Sequence, residues 1–319
     1  MSDDLNSPVA VVVVGAGHLG RFHIMKLMED PQCNLLGAVE VDPKRAASIT
    51  EEFGVRCLPS LSGFAPEARA AVIATPTIHH HELALEALDA GLDILIEKPI
   101  ASTEAQAREI IDKAAAANCL VQVGHTERFN PAVAAALRIG DKPRYITTER
   151  LGPFSGRSTD IDVVLDLLIH DLDIVGALVQ SPLREVRAVG VPILTDAVDM
   201  CSARLEFENG VVAELKAGRA SLEPCRKIRL ITQERYVSID CATREVKSVR
   251  RLPPDPGTPW PQIQGEAVDV AQGDALSLQD ASFLECVRTR ATPRVTGEAG
   301  LRALRLANAI KAVMTTPYG

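Results

Sequence analysis

The chain has 319 residues, of which 46% are hydrophobic and 24% charged, with a net charge of −8. That length exceeds what one hydrophobic core usually supports, so two domains are expected, and the composition excludes a disordered or fibrous chain. Aromatic residues make up only 3%, which, with the negative charge, argues against nucleic-acid binding by base stacking or phosphate attraction.

No stretch reaches the ~18 apolar residues of a membrane helix, and the acidic opening MSDDLNSP does not read as a secretory leader. The seven cysteines are scattered without CxxC spacing. They read as reduced thiols of a cytoplasmic protein with no metal site.

In chain order, VAVVVV (9–14) reads as a central parallel strand covered on both faces, with a helix following from about His18 to Glu29. NLLGAVEV, PKRAASITEEFG, AAVIAT, HHELALEALDAG, DILIEK, a helix over 102–118 and LVQVG then alternate strand and helix. That rhythm predicts an α/β domain over 1–124, a doubly wound parallel sheet of Rossmann type with right-handed crossovers. After Gly124 the strands RYITTER, VRAVGVPI, CSARLEFENG, VVAELKAG, KIRLITQE and RYVSID crowd together, predicting an α+β domain over 125–319 on a large, mostly antiparallel open sheet. A helical stretch, VVLDLLIHDLDIVGAL, lies among them. A Pro-rich loop over 253–261 precedes two terminal helices, near Asp274 to Thr289 and Gly297 to Met314.

Gly15, Gly17 and Gly20 form GxGxxG directly after the first strand. The first glycine permits a tight turn, the second lets backbone approach a pyrophosphate, and the third allows close packing of helix on strand. Glu40 ends the second strand, 20 residues beyond Gly20, where a carboxylate accepts from both adenosine ribose hydroxyls and repels a 2′-phosphate. NAD is therefore expected over NADP, which Lys44 and Arg45 keep open as the less favoured cofactor.

Lys98, in ILIEKP, stands at the carboxyl end of a parallel strand, where ligands of open α/β sheets bind; a cis peptide before Pro99 would fix the turn there. In VVLDLLIHDLDIVGAL, Asp166, His170 and Asp173 recur at i, i+4 and i+7, opposite an apolar stripe. An aspartate one turn before a histidine orients the ring and raises its basicity, as a general base requires. The same spacing equally suits a salt-bridged pair on a solvated face.

GAGHLG, TPTIHH (75–80), EKP, DLLIH and the terminal GEAGLRALRLANAI together resemble the Gfo/Idh/MocA oxidoreductase family over nearly the whole chain. The resemblance implies a catalytic trio of Lys98, Asp166 and His170. Around NAD it implies Gly15, Gly17, His18, Leu19, Gly20, Glu40, Thr75, Pro76, Thr77, His80, Glu97 and Lys98. Glu40 stands where the family commonly has Asp, and Thr77 where it often has Asn; both keep their hydrogen-bonding capacity.

GHTERFNP (124–131) and GPFSGRSTDIDVVLDLLIHDLDI resemble a nucleotide-sugar branch of the family. They imply oxidation at C3 of UDP-N-acetylglucosamine, in the synthesis of aminosugars for lipid A or related glycans. Substrate contacts are then expected from His125, Arg128, Asn130, Arg150 and Arg157, since guanidinium groups match phosphate oxygens. Each arginine is equally suited to a local carboxylate, and His125 to a strand end. The resemblance also implies a homodimer or homotetramer. Two alternatives stand beside it: a dehydrogenase for an inositol, a free hexose or another nucleotide sugar, and a catalytically silent NAD- or sugar-binding regulator.

Overall fold

β1 (Val9–Val14) is an almost wholly buried β-branched run, which places it at the centre of a sheet covered on both faces. The computed structural model describes residues 7–154, 156 and 161–316. After β1 come α1 (His18–Glu29), β2 (Cys33–Val39), α2 (Pro43–Phe53), β3 (Cys57–Leu58), β4 (Ala70–Ile73), α3 (His80–Asp89), β5 (Asp93–Glu97), α4 (Glu104–Ala117) and β6 (Val121–Gly124). Local chemistry sets the helix ends. Asp42 caps α2 by accepting from the amides of Lys44 and Arg45, Pro43 opens it, and Gly54 closes it in the left-handed region. Thr103 caps α4 at the amide of Gln106, and Asn118 ends it in the same left-handed conformation. The six strands pair in parallel in the order β3-β2-β1-β4-β5-β6. The order reverses between β1 and β4, and the carboxyl ends there form the ligand crevice of a doubly wound fold.

The second unit begins with α5 (Pro131–Ile139) and β7 (Tyr145–Leu151). A π-helical turn over Val164–Leu168 runs into α6 (Ile169–Val179). Seven strands follow: β8 (Leu183–Val191), β9 (Met200–Phe207), β10 (Val212–Gly218), β11 (Cys225–Ile231), β12 (Arg235–Asp240), β13 (Glu245–Leu252) and β14 (Gln262–Glu266). The eight-stranded sheet has the order β14-β13-β12-β11-β7-β10-β9-β8 and is antiparallel except for the pair β7–β10. Alternation along β7 and β9 buries one face. On that face Ile146, Leu205, Leu215, Ile228 and Val237 join Leu172 and Val175 of α6 and Val133 of α5. The sheet is the open, mostly antiparallel one expected, extended by β13 and β14; β3 and α5 are further elements absent from the periodicity reading.

α7 (Ala275–Thr289) and α8 (Gly297–Val313) close the chain. Where the strand rhythm put the boundary at 124 and all later residues in the second domain, the structure divides otherwise. One compact unit comprises Met1–Thr126 with Asp274–Leu301, the other Glu127–Gly273 with Arg302–Gly319. The physical reason is burial: Phe283, Leu284 and Val287 of α7 complete the core built on Val11, Val13, Ile24 and Leu95. Each such side chain contributes roughly 1.5–3 kcal/mol. No helix among the described residues is long and apolar enough to cross a membrane.

Candidate functional site

The three glycines of the first loop are required for three different reasons. Gly15 has φ +91°, and a side chain there would meet Thr75 Cγ2 at 2.7 Å. A side chain on Gly20 would run into the carbonyl oxygen of Gly15, whereas nothing lies within 4 Å of the space above Gly17. A tight turn, a close helix-to-strand contact and an open cradle thus occupy the positions a dinucleotide needs. α1 opens at Gly17 with no side-chain cap, so its positive end and leading amides face that cradle.

Glu40 is only 7% exposed. Its Oε2 accepts from the Ala16 amide at 3.2 Å and from Arg45 Nη1 at 3.2 Å, while Oε1 accepts from the Asp42 amide at 2.9 Å. The carboxylate is therefore locked against the glycine loop, where ribose hydroxyls are read. Thr75 Oγ1 is buried, with no hydrogen-bond partner among the described residues. The open cradle and this orphaned hydroxyl both fit a bound dinucleotide. Ala16, Gly17, His18, Arg21, Phe22 and Arg45 line a cavity of about 480 Å³ beside the loop. Leu19 lies exposed in the first turn of α1, and Pro76 and Thr77 lead into a short 3₁₀ turn.

His80 does something other than face the cofactor directly. Its ring is 1% exposed and lies between the carbonyl oxygens of Thr75 and Pro99, each at 2.9 Å. Burial holds its pKa below the ordinary imidazole value, so the neutral ring donates to one carbonyl at a time and spaces the loops after β4 and β5. The Lys98–Pro99 peptide is cis, and Lys98 is half-buried at the end of β5.

The residue before it is turned inward. Glu97 is 4% exposed; one carboxylate oxygen accepts from His23 Nε2 at 3.2 Å and the other from the Lys98 amide at 3.2 Å. Gly124 leaves room for that carboxylate, since any side chain there would collide with it. Glu97, expected at the cofactor, thus acts on the backbone that carries Lys98. His125 is fully buried just beyond β6.

In the second unit, Asp166 and His170 are both half-buried. Asp162 Oδ1 accepts from the amides of Val164 and Leu165 at 3.0 Å, and its other oxygen takes Lys311 Nζ at 2.8 Å, so the π turn is anchored at its start. The Ile169 amide reaches back to the Val164 carbonyl, the wider spacing of a π turn. α6 is buried on nearly every side, so Asp173 lies inside the protein and not on the solvated polar face that the helical spacing predicts. Asp173 is 1% exposed and takes Arg128 Nη1 at 3.3 Å.

Arg150 and Asn130, expected at the substrate, are committed to the protein's own groups. Arg150 is 5% exposed, and its guanidinium donates to Asp171 at 2.7 and 3.2 Å and to Glu127 at 2.9 Å. Burial opposes its charge, but Asp171 and Glu127 outweigh it and raise its pKa; burial conversely pushes the Asp171 carboxyl up. Asn130 caps α5 at the Ala132 amide and donates to the Cys241 carbonyl at 2.9 Å. Arg157 lies outside the described residues. The composition and motifs gave no place to His23, Asp280, Glu127 or Asp171. For His23 a signal existed: it falls on the buried stripe Gly20, His23, Ile24, Leu27 of α1, where a polar ring needs partners.

Comparison with known proteins agrees with this architecture. Residues 9–125 match the oxidoreductase family with NAD-binding Rossmann fold, and residues 142–237 match the Gfo/Idh/MocA C-terminal domain. The chain belongs to the Gfo/Idh/MocA family and is an NAD-dependent oxidoreductase. A UDP-N-acetylglucosamine 3-dehydrogenase of Acidithiobacillus ferrooxidans is 38% identical over 297 residues, covering 92% of this chain and 94% of the relative. A solved structure of that enzyme from the same organism superposes with a TM-score of 0.88 at 36% identity, over 96% of this chain and 97% of the other. The scyllo-inositol 2-dehydrogenase (NAD(+)) of Bacillus subtilis is 28% identical over 315 residues, covering 90% and 89%.

Proposed function

We propose that this chain oxidises the C3 hydroxyl of UDP-N-acetylglucosamine to a ketone, a step toward aminosugars for lipid A or related glycans. The observation that carries this reading is the 38% identity, spread over 92% of the chain, to an enzyme of that name. NAD, when bound, supplies the hydride acceptor. Gly17 and the opening of α1 hold its pyrophosphate, on the turn and close packing that Gly15 and Gly20 permit, and Glu40 holds its adenosine ribose. His170 takes the proton from the C3 hydroxyl, and Asp166 orients the imidazole and stabilises its charge. Lys98 donates a hydrogen bond to the same oxygen and offsets the negative charge that develops as the proton leaves. His125, Arg128 and Arg157 remain the substrate contacts of this reading. A cytoplasmic setting accords with seven free cysteines, and assembly as a dimer or tetramer is checked by light scattering.

The test is NADH absorbance when the purified chain with NAD meets UDP-N-acetylglucosamine, myo-inositol, scyllo-inositol or free hexoses in separate reactions. NADH from the nucleotide sugar alone supports the proposal. Turnover only with an inositol would replace it with the reading that the 28% identical relative favours, and NAD binding without reduction anywhere would leave the regulatory alternative standing. In the active case His170→Ala lowers kcat by ~10²-fold or more at unchanged NAD affinity.

A further inference from the structure

Deep in the first unit, His23 of α1 is 0% exposed and lies between two carboxylates. Its Nδ1 is 3.0 and 3.1 Å from the two oxygens of Asp280 on α7, and its Nε2 is 3.2 Å from Oε1 of Glu97 on β5. Burial pushes the Asp280 carboxyl up and His23 works against it; with both carboxylates ionised each only accepts, so both ring nitrogens donate and the ring is an imidazolium. The other oxygen of Glu97 accepts the Lys98 amide at 3.2 Å, and the bare Cα of Gly124 leaves the space the carboxylate fills. The chain of contacts thus runs from α7 through α1, the helix that opens at the glycine loop, to the backbone of Lys98.

We propose that His23 and Asp280 are positioning residues for Lys98: the imidazolium, clamped between Asp280 and Glu97, fixes Glu97 under the Lys98 amide and thereby sets where β5 presents the lysine. The role rests on the proposed function of Lys98. Burial works against charge on His23, but Asp280 and then Glu97 outweigh it and push its pKa up to about 10. The charged groups facing the cluster are Asp280, Glu97, Lys98 and, beyond Asp280, Asp30. Glu97 is held below the usual carboxylate range, its burial outweighed by His23 and Lys98.

The experiment uses the full chain, histidine-labelled with ¹⁵N, as wild type, His23→Gln and the isosteric Asp280→Asn, which carries the test if the first variant fails to fold. At about pH 8.5, two units above an ordinary imidazole, the wild type shows one ring with both nitrogens protonated, and His23→Gln lacks it. No imidazolium at that pH overturns the proposal. Acetylation of Lys98 by acetic anhydride, read by mass spectrometry, changes rate in both variants while the exposed Lys247 does not; an unchanged Lys98 rate overturns it. These two readouts stand whether or not the substrate assignment holds.

With the nucleotide sugar as substrate, kcat falls ~10-fold or more in both variants with KM and NADH affinity unchanged, the signature of a misplaced group. Asp280→Asn also gains an alkaline loss of kcat below the wild-type range, because His23 keeps one carboxylate partner and titrates lower; His23→Gln has no such ionisation. Wild-type kcat in both variants overturns the proposal.

Discussion

Replacing Arg150 with methionine separates two roles for one guanidinium. Arg150 is 5% exposed and balances Asp171, itself 1% exposed, at 2.7 Å and Glu127 at 2.9 Å. Methionine keeps much of the volume but strips Asp171 of its cation in the core of the second unit, so the carboxyl must stay charged at a desolvation cost or take up a proton. Breaking a buried pair in this way costs about 3–5 kcal/mol. For a domain of this size each kcal/mol moves Tm by about 2–4 °C, so the drop is roughly 10 °C. The assay is a far-ultraviolet circular dichroism melt of the wild type, Arg150→Met, Asp171→Asn and the double variant. Because the two residues share one interaction, the double variant loses clearly less than the sum of the singles. A melt unchanged in Arg150→Met, with KM for the nucleotide sugar raised tenfold or more, would refute this reasoning and return Arg150 to the substrate.

Two glycine variants part binding from folding. Gly17→Ala adds a methyl to open space, so Tm is unchanged while NADH affinity, read by fluorescence titration, falls about tenfold or more. Gly20→Ala collides with the Gly15 carbonyl and destabilises the first unit by about 1–3 kcal/mol in urea unfolding. His23 gives the protein an alkaline limit. Its folded pKa is raised from 6.5 to about 10, so the stability it contributes is complete below pH 6.5 and drains as pH rises through 10. A Tm series from pH 6 to about 10 shows this loss in the wild type and not in His23→Gln. Phe283→Ala empties the α7 side of the first core and costs about 3–5 kcal/mol, measured as a lower urea midpoint.

Much of the first unit is legible because its strands are continuous apolar runs that alternate regularly with helical stretches. VAVVVV reads as a covered central strand, and the alternation after it marks the doubly wound sheet. Glu40 and the glycines are legible for the same reason: their roles depend on local spacing. The strands that escape are weak in periodicity. β3 has two residues, β13 is dominated by charge in EVKSVRRL, and β14 is mostly exposed. The π turn is invisible to any period, and so is the burial of α6 on nearly every side, which puts Asp173 inside the protein against Arg128. The arginines are ambiguous in principle, since a guanidinium that suits a diphosphate suits Asp171 equally well. Asp280 is beyond reach, because its partner His23 lies 257 positions away.

The return of Asp274–Leu301 to the first unit has a consequence for how the protein is made. A nascent chain that has emerged through Thr126 holds all six parallel strands but not Phe283, Leu284 or Val287, and its buried His23 has no Asp280. About 175 residues must still be translated before Leu301 appears, roughly 10–35 s at ordinary elongation rates. During that interval the dinucleotide-binding half waits on the ribosome with one flank of its core exposed, while every residue of the eight-stranded sheet is delivered ahead of the helix that completes it.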